Sequence, residues 1–481
     1  MASPGILILG AYLALMLLIG IITSRYQKTT DDFWVAGRRF GPVVLAVAIV
    51  ASIAHGGTML SGVGFTALLG AITVNNLSFA LGFLIVVVFL ARKLRALGGY
   101  TLPDYLGERF DSRFLRGFGA LVVIISATVY LIGQTRAMGF IIQGMTGLTL
   151  EQSILLGATI FILYVALGGL LAVVWTNIAQ FIMMYAGLAL LYITLYGKIG
   201  GWAAMATKVE QVAPGWTSIT GVGWAPMALI SWYVVWIVAY FTRVEFVTKL
   251  YAARDPKVAR YTIPIACALI LLFFTPIIYF GGAARILVWS QVTSPDKAFP
   301  ILINSALGPM GAAFAFAGLA AAAMSTTDSL LHQSGAGIAH DIIRKCLFEP
   351  NKVKKSEEFY VRVSRVTILG VGIIAVIGAL YTSEIILKLV SYAVAMLGAS
   401  FGPAMVFGLS WKRVSKIATG VSVVGGFVIT AIWSIMTIYG VTWAKIVHPV
   451  IPGIIFSTIA IVVLSLILPT NISEKTLNRF F

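Results

Sequence analysis

Ser52-Ile53-Ala54-His55-Gly56-Gly57-Thr58 interrupts an apolar stretch, residues 42–69, that is long enough to cross a bilayer. Each of the two adjacent glycines weakens a helix by about 1 kcal/mol relative to alanine. Ser52, His55 and Thr58 add polar side chains at mid-membrane depth. Backbone that leaves the helix at that depth survives only where it lines a cavity or is buried in protein. The stretch therefore predicts a broken helix built around a site. A second interruption is predicted in the seventh apolar stretch, 223–246, which follows a Pro- and Gly-rich loop and carries Ser231, Tyr240, Thr242 and Arg243. Broken segments five spans apart point to an inverted repeat of five spans each. Gly398-Ala399-Ser400-Phe401-Gly402-Pro403 predicts a third break, in the eleventh stretch.

The rest of the chain is of the same kind. It is 59% hydrophobic and 11% charged, where soluble proteins carry about 25% charged residues. Apolar runs of about 20 residues, the length that spans a bilayer, recur near 4–23, 42–69, 73–97, 115–146, 150–168, 171–197, 223–246, 260–284, 309–341, 360–381, 385–410, 416–439 and 449–469. The expected fold class is an all-α polytopic membrane protein of about 13 transmembrane helices. All of 1–481 reads as one integral membrane domain: an extra first helix at 4–23, an inverted-repeat core at 42–410, and additional helices at 416–469. The first run has no basic region before it and no small-residue cleavage site, so it reads as a span and not a signal peptide.

The net charge of +17 could suggest nucleic acid in a soluble chain. Here the basic residues lie in short loops, where they set orientation. About 26 of the 34 Lys and Arg fall on one side, at Arg25 to Arg39 (Lys28 included), Arg92 to Arg116, Lys249 to Arg260, Arg344 to Arg365, Lys412 to Lys416 and the C-terminal tail; about six fall on the other. The expected protein sits in the cell membrane with its N-terminus outside and its C-terminus in the cytoplasm. Its partners would be a small-molecule solute and the lipid bilayer, with no nucleic acid and no obligatory protein partner. Cys267 falls in a span and Cys346 in a basic loop, so no disulfide is expected. Four histidines are too scattered along the chain to suggest a metal cluster.

The ninth stretch holds Gly318-Leu319-Ala320-Ala321-Ala322-Ala323-Met324-Ser325-Thr326-Thr327-Asp328-Ser329. Ala322, Ser325 and Thr326 are spaced i, i+3, i+4 and share one helix face. Such hydroxyls can simply bond back to the carbonyl four residues earlier. A carboxylate at membrane depth, as at Asp328, is a functional residue by default.

Several motifs, taken together and in order, resemble the sodium/solute symporter family, whose fold is that of the leucine transporter. They are Asp32-Phe33-Trp34-Val35-Ala36-Gly37-Arg38-Arg39-Phe40-Gly41; Thr101-Leu102-Pro103-Asp104-Tyr105-Leu106 with Arg109; Gly168-Gly169, Ala172-Val173, Trp175-Thr176 and Gln180; Ala252-Ala253-Arg254-Asp255; and Ala321 to Ser329. The resemblance implies a sodium site formed by the carbonyls of Ala51, Ala54 and Ala322 and the hydroxyls of Ser325 and Thr326. Five neutral oxygens suit a monovalent cation, whereas a divalent ion calls for carboxylates. A second cation site in some members would map to Asn177, Ser325, Asp328 and Ser329. There the chain departs from the family, with Thr176-Asn177 in place of the usual Thr-Asp. The alternative is that Asp328 bonds neighbouring hydroxyls and Asn177 bonds backbone.

The substrate pocket is expected beside the second-span break, where half-helix ends hold polar solutes. Its candidates are Ile53, His55, Gly56, Thr58, Tyr130, Gln134, Trp232, Trp236 and Tyr240. His55 reads two ways, as an anion or proton binder or as a stiffener of the break; the aromatics read as pocket or as packing. Arg243, where the family commonly has Gln, is read with Glu245 as a gate ion pair, a substrate-carboxylate clamp, or an arginine snorkelling to the interface. His448 reads as structural.

The expected activity is sodium-coupled import of a small organic solute by alternating access, with Na+ as the coupling ion. The Val447-His448-Pro449-Val450-Ile451-Pro452 stretch and the ninth-span pattern look most like the pantothenate and monocarboxylate branch, hence a carboxylate. The alternatives are a proline-type amino-acid symporter, or a proton-coupled member with Asp328 as carrier. A channel would need a continuous polar lining or a filter. Neither paired catalytic carboxylates nor a soluble signalling domain is present, which argues against an enzyme or a sensor.

Overall fold

The computed structural model describes residues 4–26, 29–74, 76–383 and 385–481; Lys28 of the charge count and residue 75 of the expected third span lie outside them. Every long apolar run forms helix, because a bilayer leaves backbone amides no partner but one another. In chain order the helices are α1 (Pro4–Ser24), α2 (Thr30–Val35), α3 (Pro42–Ile53), α4 (Gly56–Leu69), α5 (Asn76–Ile85), α6 (Ala91–Leu97), α7 (Leu102–Phe110), α8 (Arg113–Thr146), α9 (Leu150–Ile199), α10 (Gly201–Val212), α11 (Pro226–Thr242), α12 (Val244–Tyr251), α13 (Pro256–Leu287), α14 (Pro295–Ala306), α15 (Pro309–Ala336), α16 (Glu357–Tyr381), α17 (Ile386–Ser410), α18 (Lys416–Ile438), α19 (Val450–Ile467) and α20 (Glu474–Phe480). A five-residue π turn joins α5 to α6, and wider π turns carry α15 on to Phe348.

Among the described residues, eleven helical stretches are long and apolar enough to cross a membrane, and the bent pair α3–α4 makes a twelfth. That count takes α9 once. Its 50 residues would reach about 75 Å if straight, against a hydrocarbon core of about 30 Å. Tyr164 and Gln180 would then stand about 24 Å apart along the axis. Yet Gln180 Nε2 lies 3.5 Å from Tyr164 Oη, and both side chains bond Asp328. The helix is therefore a hairpin, turned at Gly169 (φ 50°, ψ −163°), a conformation open essentially only to glycine. Counting its two arms separately adds one to the twelve stretches found among the described residues.

Both predicted breaks in the repeat are present, at Ala54–His55 and at Arg243. The third is not. α17 runs unbroken from Ile386 to Ser410 with Pro403 inside it. Its glycines serve close approach instead: a Cβ on Gly398 would meet Val238 Cγ1 of α11 at 2.7 Å. Neighbouring helices enclose α17, which is how a membrane helix tolerates an internal proline.

The sequence motifs close the basic side. Thr101 and Asp104 form a reciprocal cap on α7, as the spacing of hydroxyl and carboxylate allows. Asp104 also takes Arg116 Nη1 at 2.5 Å and His340 Nε2 at 3.0 Å. Burial alone would raise the Asp104 carboxyl, but His340 and Arg116 hold it well below the usual carboxylate range. One of the four histidines does join a group of metal-ligating type: His340, Asp104 and Asp341 place ligand-type atoms within 4.8 Å of one another. Arg116 already supplies positive charge there.

Candidate functional site

The break between α3 and α4 bends the chain by 56°. Ala54 (φ −75°, ψ 77°) and His55 (φ −99°, ψ 163°) leave the helix, and His55 caps α4. Its Nδ1 accepts from Thr58 N at 3.1 Å, and its Nε2 lies 2.8 Å from Thr58 Oγ1. A backbone N–H can only donate, so Nδ1 carries no proton and Nε2–H donates to the hydroxyl. Both ring nitrogens are thereby engaged within the break, the arrangement that the stiffening reading of His55 describes. Gln134 of α8 fastens the other side, accepting from Gly56 N at 3.0 Å.

These bonds free carbonyls. In an unbroken helix Gly56 N would bond Ser52 O, and Thr58 N would bond Ala54 O. Gln134 and His55 take those two donors instead. Across from the break stands the α15 face: Ser325 Oγ donates to Ala51 O at 2.7 Å and lies 3.1 Å from Ala322 O, while Thr326 Oγ1 donates to Ser52 O at 2.6 Å. Ala51, Ala322 and Ser325 thus come together, and Thr326 lies on the same face. Ser52 O, which the sequence reading passed over, is the carbonyl that Thr326 reaches. Among the described residues no hydrogen bond joins Ala54 O to that face. Gly56 allows the close approach, since a Cβ there would lie 2.9 Å from Ala323 Cβ and 3.0 Å from Ala137 Cβ. Gly56→Ala should therefore cost about 1–3 kcal/mol of stability through overpacking, read as a lower unfolding temperature of the purified protein.

The expected second set is parted by the helix. Asp328 turns to α9, where Tyr164 Oη donates to it and Gln180 Nε2 lies 3.3 Å from Oδ2. Ser325, Ser329 and Asn177 gather on the other side around Ser52: Asn177 Nδ2 donates to Ser52 Oγ at 3.1 Å, and Ser329 Oγ lies 3.2 Å from it. Lys249 joins them. The charge count had placed it in a basic loop, but it is fully buried. After the break at Arg243, α12 packs back along α3 and α15 and carries the lysine inward. The signal in the sequence was faint: a lysine four residues after Glu245, within the reach of one helical turn.

Arg243 bonds Glu245 and donates to Tyr130 Oη at 2.5 Å, and both charged residues are buried. This excludes snorkelling, because the guanidinium points into the protein. Arg243 Nη1 has no hydrogen-bond partner. Thr58, Trp232, Trp236 and Tyr240 line one small cavity with Phe65, Thr73 and Phe79. The remaining pocket candidates do not line it: Ile53 and Gly56 are packed, Gln134 binds the break, and Tyr130 lies edge-on to His55 with ring centroids 5.5 Å apart. His448 bonds Ser391 and Val450, in keeping with a structural role.

The sodium:solute symporter family matches residues 33–426. The chain is 29% identical to an osmoregulated proline transporter of Bacillus subtilis, covering 99% of this chain and 97% of that one. It is also 29% identical to the sodium/proline symporter of Escherichia coli, covering 97% and 93%. Among solved structures, a Na+-coupled sialic acid symporter in a substrate-bound outward-open state superposes with a TM-score of 0.80 at 21% identity, over 97% of this chain and 98% of that one. A nucleobase-cation-symport-1 family transporter does so at 0.55 and 14%, over 93% and 97%.

Proposed function

The chain belongs to the sodium:solute symporter family, a family of sodium-coupled membrane transporters and not of enzymes, and from that premise we propose that its solute is a small zwitterionic amino acid of the proline type. The proline transporters among its relatives support this reading over the pantothenate and monocarboxylate branch. The observation that carries the sodium coupling is the pairing of the Ala51 carbonyl and the freed Ser52 carbonyl with the Ser325 and Thr326 hydroxyls, a cage of neutral oxygens for one sodium ion.

Energetics favour the same class of solute. One charge crossing 100 mV releases about 2.3 kcal/mol, and a tenfold sodium gradient adds about 1.4. A zwitterion carried with one sodium moves that charge and can accumulate roughly 500-fold. A monoanion carried with one sodium is electroneutral and reaches only about tenfold. The unpartnered N–H of Arg243 supplies a donor for a carboxylate near the break. The protein would lie in the bacterial plasma membrane, with its N-terminus outside and its basic loops in the cytoplasm.

Reconstituted into proteoliposomes, the protein should take up radiolabelled L-proline when sodium is outside, and not when choline replaces it. Ser325→Ala and Thr326→Ala should each raise the sodium concentration for half-maximal uptake at least tenfold, the equivalent of about 1.4 kcal/mol. Sodium-driven uptake of pantothenate without any of proline would overturn the substrate class. Uptake indifferent to these two hydroxyls would overturn the site.

A further inference from the structure

We infer that Lys249 is a built-in cation beside the sodium cage, so that its ammonium occupies the position a second sodium would otherwise take. The inference rests on the single-sodium reading above and specifies its ion count. Lys249 Nζ donates to Ser52 Oγ at 2.5 Å, to Ser329 Oγ at 3.0 Å and to the Glu245 carbonyl at 3.3 Å. An ammonium has three N–H donors, and here each has its own oxygen. That is the coordination a buried charge requires.

The surroundings are those of a cation site. Ser52, Ser329 and Lys249 are all buried. Asn177 approaches the same Ser52 hydroxyl, and its carbonyl oxygen Oδ1 is buried with no hydrogen-bond partner. Arg243 and Glu245 neutralise each other. Asp328, on the same helix as Ser329, is turned away to Tyr164 and Gln180. A free ion sharing Ser52 Oγ and Ser329 Oγ would meet the ammonium at contact distance and be repelled. Two of the lysine's three acceptors sit next to the cage itself: Ser52 supplies a carbonyl to Thr326 and a hydroxyl to Lys249, and Ser329 Oγ lies 3.2 Å from the Ser325 carbonyl.

The test counts ions directly, with 22Na+ and no solute, by equilibrium binding to purified protein. The wild type should bind one sodium per chain. Lys249→Ala vacates the oxygens and should bind two, with the Hill coefficient rising above one. Lys249→Arg keeps the charge and should stay at one. Adding Ser329→Ala to Lys249→Ala should return the count to one. If Lys249→Ala does not purify as a folded, monodisperse protein, Lys249→Gln replaces it, keeping the stem and a polar tip without the charge. Two sodium ions on the wild type would overturn the inference while leaving sodium coupling intact, as would one ion on both wild type and the neutral variant. No sodium on the wild type, or a count unchanged by Ser325→Ala with Thr326→Ala, would instead overturn the cage on which the inference rests.

Discussion

Arg243→Met is expected to destabilise the protein by about 3–5 kcal/mol, the usual cost of removing one partner from a buried ion pair. It leaves the Glu245 carboxylate without its guanidinium, where both side chains are 1% exposed. It also removes the donor to Tyr130 Oη and the guanidinium that lies over the Tyr130 ring, 5.4 Å from its centroid. Since whole proteins are stable by only about 5–15 kcal/mol, the variant should express poorly and unfold at a much lower temperature in detergent. The pair itself is not expected to be a source of net stability. Replacing both partners by apolar residues is often neutral or favourable by about 1–4 kcal/mol. Arg243→Met combined with Glu245→Met should therefore recover most of the lost unfolding temperature. Failure of the double variant to recover would mean that Arg243 acts through Tyr130 and through the Ser52 carbonyl, 3.4 Å from Arg243 Nη2, not through Glu245. Proline binding should not return with stability, because the unpartnered N–H that would receive a carboxylate is gone.

Gly169→Ala should be nearly as damaging, for a reason unconnected with charge. With φ 50° and ψ −163° the residue lies in a region where a side chain costs about 1–3 kcal/mol. A Cβ would also stand 2.7 Å from Phe33 Cδ2 and 2.9 Å from the Phe33 carbonyl oxygen, and overpacking adds about 1–3 kcal/mol. Phe33 cannot readily give way, because its carbonyl is bonded to His332 at 2.8 Å. Gly10→Ala is the control: a Cβ there meets nothing within 4 Å, and its unfolding temperature should stay close to wild type. Unfolding followed by tryptophan fluorescence would separate the two. A Gly169→Ala protein as stable as Gly10→Ala would mean that the turn between the halves of α9 is not held as described.

Phe33 and Gly169 also show how sequence motif and contact relate. Both belong to motifs visible in the chain, one in the loop after α1 and one in the α9 signature. Nothing in either motif says that they touch. The same holds for His55. Its place in a glycine-rich break was plain, and its choice between binding a ligand and capping a helix was not. It turned on where the ring nitrogens point, and in the fold both meet Thr58, with Gln134 of another helix 3.3 Å from Nδ1. Lys249 was misplaced for a related reason. Charge bias is counted by position along the chain, and a break six residues earlier turned α12 inward and carried the lysine with it. In α17 the error ran the other way. A Gly-x-x-x-Gly-Pro pattern reads as a break in isolation, and it becomes a close-packed helix once α11 lies against it.

What the sequence determined by itself was everything governed by local composition. Apolar runs of spanning length must be helices, because the bilayer offers the backbone no other partner. Glycines and polar residues at mid-depth marked the breaks at 52–58 and Arg243. Helical spacing put Ala322, Ser325 and Thr326 on one face. What the tertiary structure alone decided was which groups stand opposite that face. Ser325 and Ala51 are 274 residues apart, Lys249 and Ser329 are 80, and Tyr164 and Asp328 are 164. Periodicity fixes the side of a helix on which a residue lies but carries no information about the helix that packs there. The hydroxyl face of α15 could be read from the chain; the Ser52 carbonyl it meets and the lysine lodged beside that residue could be seen only once α3, α12 and α15 had come together.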